Sequence, residues 1–294
     1  MTDPAPAPDS QPAAASVQVG HYPIPPVSRG HTTPVAKRVR AVFDGVTVLD
    51  TVRALYVWEQ PYYPQFYIPA ADVRSDLLEA DGRPRQSTMG LAQTSALVHR
   101  DRRVERVAAW VTESAIEGVA GTYRFEWDSL DAWFEEDEEV FLHPRSPYVR
   151  VDSMRSTSRV RFEKDGVVVA ESASPVMLFE TGLPRRWYLN KTDINWEHLR
   201  ESQTQTRCPY KGTTSGYWSV VIEDSGRASG SSSKSSGGSG DSENGSSGNG
   251  SSGTVYADLA WSYDFPTREC APIAGLVCFY DDKLDVFVDG IPQD

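Results

Sequence analysis

Five consecutive residues, Cys208-Pro209-Tyr210-Lys211-Gly212, hold the most reactive set of side chains in this chain. Proline and glycine bracket a thiol, a phenol and an ammonium in what reads as a turn. An ammonium beside a thiol lowers its pKa and raises its thiolate fraction, which makes Cys208 a candidate nucleophile. Lys211 is equally suited to hold an anionic group as a point charge, and Tyr210 to stack or to donate a hydrogen bond. A plain structural turn, with a buried cysteine and a solvated lysine, is the competing account. Glu180 is the second candidate. It closes an otherwise apolar strand, Val176–Phe179, where a carboxylate must be paired or must work. Near Lys211 it would serve as general base or as ion-pair partner.

The chain carries its own control, because it repeats. Asp44-Gly45 and Asp165-Gly166, Glu59 and Glu180, Tyr67 and Tyr188, and Asp72 and Asp193 are each 121 positions apart. Two similar domains therefore sit in tandem. With Gly212 aligned to Gly90, Cys208 falls on Gln86, Tyr210 on Thr88 and Lys211 on Met89, while Tyr217 and Trp218 fall on Ser95 and Ala96. The turn glycine survives and the reactive and aromatic residues vanish, so these residues serve a site rather than the fold. Trp261 aligns with Trp110 and reads as core, and Tyr263 aligns with Thr112 and reads as site-lining. The candidate catalytic residues are Cys208, Lys211 and Glu180. The candidate ligand-binding residues are Tyr210, Gly212, Tyr217, Trp218, Trp261 and Tyr263. The presence of a glutamate in both copies favours a shared structural hydrogen bond for Glu59 and Glu180.

Positioning these residues requires a β-rich frame. In copy one, Val39–Val42 and Val46–Leu49 flank Asp44-Gly45, a strong hairpin signal. Strands are predicted at Leu55–Trp58 and Gln65–Ile68, then a short helix at Ala71–Glu79. Hairpins are predicted at Leu97–His99 with Val104–Trp110, and at Thr122–Phe125 with Leu130–Phe134. Copy two repeats the order, with Asp193 as N-cap of the helix Asp193–Arg200 and a terminal hairpin of Leu276–Tyr280 with Leu284–Val288. The expected divisions are a Pro/Ala-rich disordered tail at 1–36, a first domain at 37–142, a link at 143–157 and a second domain at 158–290. A Ser/Gly tract at 225–253 can bury nothing and reads as a flexible loop inside copy two. Enlarging a turn of about 4 residues to about 30 costs only roughly 2 kcal/mol in closure entropy, so the flanking strands can still pair.

Composition narrows the function. The 294 residues carry a net charge of −12, which argues against nucleic acid or an anionic membrane surface as partner. The three cysteines, Cys208, Cys270 and Cys278, form no Cys-x-x-Cys pair and read as reduced thiols. Neither a secretory signal nor a run of about 18 apolar residues is present, and a cytoplasmic location is expected. Asp281, Asp282 and Asp285 read as turn residues rather than metal ligands, and neither metal nor cofactor is expected. No dinucleotide, P-loop, nucleophile-elbow or zinc-protease motif is found.

At Leu178-Phe179-Glu180-Thr181-Gly182-Leu183-Pro184, Trp187-Tyr188, Cys208-Pro209-Tyr210-Lys211-Gly212, Tyr217-Trp218, Ala260-Trp261-Ser262-Tyr263 and Phe279-Tyr280 the chain resembles the "domain of unknown function 427" family. Copy one resembles a diverged member that keeps Glu59, Tyr67, Asp72 and Trp110. The resemblance implies two small antiparallel domains of the β-tent type, mainly β with a short helix each. Zinc-binding proteins share that architecture, but their paired Cys-x-x-Cys ligands are missing here. The family also carries a nucleotidyltransferase-like label, and no Asp-x-Asp pair after a Gly-Ser turn supports it. Fold alone brings no activity. Two functions remain open: a small-molecule site in copy two, enzymatic or purely binding, and a non-catalytic interaction module that uses the Ser/Gly loop.

Overall fold

The computed structural model describes residues 27–82, 84–223 and 253–293. Each copy packs a large antiparallel sheet against a four-stranded one. In copy one the large sheet runs Thr32–Pro34, Leu55–Val57, Gln65–Pro69, Thr122–Phe125, Arg102–Glu113, Gly90–His99, Leu78–Ala80, with Arg85–Ser87 beside Gly90–His99. In copy two it runs Val151–Arg155, Val176–Glu180, Arg186–Leu189, Val277–Phe279, Gly253–Ser262, Gly216–Glu223, Leu199–Ser202. The smaller sheets also match, Glu138–Val140, Ala132–Glu135, Val39–Phe43, Val46–Thr51 against Ile291–Pro292, Asp285–Val288, Val160–Lys164, Val167–Ser172. The repeat read from spacing is thus a repeat of topology.

The Asp-Gly turns are built as their sequence requires. Asp44 and Gly45 have φ of 47° and 74°, and Asp165 and Gly166 have 52° and 78°. Two successive positive φ values make the turn whose twist matches antiparallel strands. Between the sheets of each copy lies its main core. In copy two it includes Phe162, Trp187, Leu189, Val220 and Phe279. Each fully buried side chain of this size contributes about 1.5–3 kcal/mol.

Several local expectations change. The helical segments are pairs of 3₁₀ turns, Ala70–Asp72 with Ser75–Leu77 and Lys191–Asp193 with Trp196–His198. Asp193 ends the first turn of its pair and caps nothing. The two expected terminal hairpins do not form either. Thr122–Phe125 pairs within the large sheet, whereas Ala132–Glu135 pairs with Val39–Phe43 in the small one. A 3₁₀ turn at Trp127–Ser129 redirects the chain between sheets, and Asp281–Lys283 does the same in copy two. Thr32–Pro34, within the expected tail, pairs with Leu55–Val57. Val151–Arg155, within the expected link, pairs with Val176–Glu180. Glu223 pairs with Gly253, so the strands meet across the Ser/Gly tract; residues 224–252, like residues 1–26, lie outside the described residues. Among the described residues no helix is long and apolar enough to cross a membrane.

Candidate functional site

The site is built on the face of copy two's large sheet that points away from the small sheet. Strand alternation sends neighbouring side chains to opposite faces. Leu178 and Glu180, Arg186 and Tyr188, Tyr217, and Trp261 with Tyr263 share this outer face. Trp187, Leu189, Val220 and Phe279 take the inner one. The Cys-Pro-Tyr-Lys-Gly segment folds over the outer face as a hairpin, Arg207–Cys208 pairing with Gly212–Thr213. Gly212 has φ of +98°, a conformation that favours glycine.

The hairpin is fastened at both ends of its turn. The Thr267 hydroxyl donates to the Tyr210 carbonyl at 2.6 Å, and the Thr267 amide donates to the Lys211 carbonyl at 3.1 Å. On the other side the Ser146 amide, in the segment joining the copies, donates to the Tyr210 hydroxyl at 2.8 Å. Tyr210 is therefore a tie between hairpin and link.

Held this way, the turn lowers Lys211 onto Glu180. The two form an ion pair with side chains only 13% and 6% exposed. Burial works against the Lys211 charge, but the Glu180 carboxylate and, next, the nearby Cys208 outweigh it and hold the ammonium pKa above its ordinary value. Beside the pair lies a cavity of about 210 Å³ lined by Glu180, Lys211, Tyr188, Tyr217, Trp261 and Tyr263, with Arg186 and Tyr280 further round. The Tyr217 and Tyr280 hydroxyls are 2.9 Å apart. The Trp261 and Tyr280 ring centroids are 4.4 Å apart. Arg186 is paired with Asp281. Burial pushes the Tyr217 and Tyr263 hydroxyls well up, so both stay neutral.

Five of the sequence candidates, Glu180, Lys211, Tyr217, Trp261 and Tyr263, line this cavity. Cys208, Tyr210 and Gly212 build the hairpin beside it without lining it. Trp218 goes to the inner face, where it packs on the main core, crowds Gly216 and meets Trp196 edge-on at 5.4 Å. Arg186, Tyr188 and Tyr280 were missed. The period-2 pattern of Arg186-Trp187-Tyr188-Leu189 carries the signal for the first two, once Trp187 is assigned to the core.

Register also corrects the alignment of the copies. Tyr123 pairs with Trp110 and Arg124 with Ala109, whereas Cys278 pairs with Trp261. Phe125 faces Ala108 and Phe279 faces Ala260. The counterpart of Trp261 is thus Ala109, and Trp110 corresponds to Ser262. A slip of one residue exchanges the faces, which is why Trp110 is 38% exposed and Trp261 only 7%. By the same register Tyr263 corresponds to Val111, Tyr217 to Thr94 and Trp218 to Ser95. Cys208 faces Gly212 as Ser87 faces Gly90, so Cys208 corresponds to Ser87 and the second hairpin turn is one residue longer. Lys211 still corresponds to Met89, each immediately before its glycine.

The first copy fills the equivalent place with carbon. Val57, Tyr67, Met89, Ala92, Val111 and Val119 form a continuous apolar cluster there, with Met89 only 3% exposed. Glu59 accepts from the Tyr67 hydroxyl at 2.9 Å and from Arg124 at 3.1 Å. Arg124 pairs with Tyr67 across the strands as Cys278 pairs with Tyr188. The glutamate thus keeps a cation in both copies, taken from the sheet in one and from the hairpin in the other. A broader, open groove of about 770 Å³ also borders copy one, beside Gly30, His31 and Met89. Its His31 is already engaged with Tyr148 at 3.1 Å and Thr33 at 3.0 Å, and the groove's other polar lining includes Arg29, Thr88 and Glu117.

Among the described residues no group of three or more His, Cys, Asp or Glu side chains is placed to hold a metal ion. No curated protein matches the chain. The family model described as "Domain of unknown function (DUF427)" matches residues 31–136, 152–231 and 248–290, which takes in both copies and most of the chain. With that match, the doubled topology and the hairpin motif in its second half, the chain belongs to the DUF427 family, as a tandem member.

Proposed function

We propose that the second domain binds a small polar molecule in the cavity beside Glu180 and Lys211, with the first domain as its structural partner. One observation carries this reading. The same outer face is packed with aliphatic side chains around Met89 in one copy, and opened around a buried charge pair and a ring of aromatic residues in the other. A fold that needed only stability has a cheaper solution, and the first copy uses it.

Binding is favoured over covalent chemistry. Cys208, the expected nucleophile, is half-buried and outside the lining. Burial pushes the Cys270 thiol up to about 11 and holds that of Cys278 well above its ordinary value. Neither is a thiolate at neutral pH. Lys211 and Glu180 then act as recognition groups, and the aromatic side chains cover the ligand.

The test is a thermal-shift screen of a metabolite library on wild type and Lys211→Met, the residue that copy one carries at this position. A ligand at 100 times its Kd adds about 2.7 kcal/mol of stability. Compounds that stabilise wild type and leave Lys211→Met unmoved support the site. Compounds that stabilise both proteins equally, or a library with no hit, contradict it and favour the interaction module.

A further inference from the structure

Resting on that reading, we infer that Tyr188 is a ligand-binding residue and that the ligand is a compact, uncharged molecule presenting a carbonyl oxygen next to an N–H donor, as in an amide or a lactam. The starting point is a buried hydroxyl without an acceptor. Tyr188 is fully buried, lines the cavity, and donates its hydroxyl proton to no group of the protein. Its counterpart Tyr67 donates to Glu59 at 2.9 Å. In copy two Glu180 pairs with Lys211 instead, whose counterpart Met89 offers no charge. The Trp261 indole N–H points towards the Tyr188 oxygen as a donor, so it is the hydroxyl proton that lacks a partner. A buried donor without an acceptor is costly and rare in native structures, and a binding role accounts for it.

The charge of the site sets the ligand's. Lys211 is balanced by Glu180, and Arg186 by Asp281 with Asp282 at 3.8 Å. An anionic ligand seated on Lys211 would leave the Glu180 carboxylate buried and unpaired, a severe penalty. A neutral amide avoids it. Its carbonyl accepts from the Tyr188 hydroxyl and from a Lys211 N–H, its own N–H donates to Glu180, and the ion pair stays intact. The near-parallel Tyr217 and Trp261 rings, with Tyr280 tilted against Trp261, offer apolar walls to the remainder. The earlier expectation of an anionic group on Lys211 gives way to this neutral one.

Matched amide and carboxylate probes test this: acetamide and acetate, benzamide and benzoate, titrated by NMR against wild type, Tyr188→Phe and Lys211→Met. The expected result is binding of an amide to wild type, at least tenfold tighter than its carboxylate partner and at least tenfold weaker to Tyr188→Phe. The apo melting temperature of Tyr188→Phe should equal or exceed wild type, while Tyr67→Phe should lower it. Undiminished amide binding by Tyr188→Phe, or a carboxylate that binds tighter than its amide, overturns the inference and leaves the site standing. No binding of any probe to wild type overturns both, and a Tyr188→Phe variant with a lowered apo melting temperature marks the hydroxyl as structural.

Discussion

The Glu180–Lys211 pair decides what the second domain can do, and its two members are not equivalent. Glu180→Leu strands a buried ammonium and should cost about 3–5 kcal/mol of stability. Lys211→Met should cost less, under about 2 kcal/mol, because Glu180 can then take the Tyr188 hydroxyl as Glu59 takes that of Tyr67. Denaturant melts of both variants check the order, and equal losses would show that no such rescue exists. Lys211 and Glu180 were legible in the sequence because residue type and position said enough: a glutamate ending an apolar strand needs a partner, and a lysine missing from one copy is free of the fold. That Cys208 stands outside the cavity lining was not legible, for the opposite reason. Its chemistry is visible in a sequence, but the direction of its side chain depends on the hairpin's register. The Trp110–Trp261 match failed in the same way, since two tryptophans at similar positions lie on opposite faces after a slip of one residue.

At the scale of elements, the Cys-Pro-Tyr-Lys-Gly hairpin places the lysine, and its glycine permits the turn. Gly212→Ala should cost about 1–2 kcal/mol for its left-handed φ alone, since an added Cβ would meet nothing nearer than the Phe265 carbonyl oxygen at 3.5 Å. Gly90→Ala should be markedly worse, because there the Cβ would fall 2.0 Å from the Glu113 carbonyl oxygen. Thermal melts of the two variants compare them directly, and Gly212→Ala should also weaken binding in the second domain. Hairpins with local signals, such as the Asp-Gly turns, were readable from sequence. The changes of sheet at Trp127–Ser129 and Asp281–Lys283 were not, because two strands separated by a few residues give the same pattern whether they pair with each other or with distant partners. The short helices dissolved into 3₁₀ turns for a related reason: three-residue turns satisfy the same spacing of apolar residues.

Over the whole molecule, the two copies meet through the segment that joins them. His143 stacks on Tyr63 of copy one at 4.1 Å and lies edge-on to Tyr210 of copy two at 6.2 Å. Burial holds its pKa below the ordinary 6.5. A histidine that binds its proton less tightly when folded contributes stability above its unfolded pKa, and this is lost as pH falls through 6.5 towards the folded value. Wild type should therefore lose stability relative to His143→Phe on acidification across that window, and parallel melts at pH 7 and pH 5 measure the difference. The Ser/Gly tract enters at the same scale. Because Glu223 and Gly253 already pair, replacing residues 224–252 by an Asn-Gly turn should keep the fold and raise stability by at most roughly 2 kcal/mol. Binding in the cavity should be unaffected.

One copy keeps a polar cavity where the other is packed with apolar side chains. A crystallographic fragment screen of the full chain measures this most directly. Fragments should bind beside Lys211 with a polar atom near Tyr188, and none within the cluster around Met89. A cavity that stays empty across the screen while fragments settle elsewhere on the molecule would contradict it.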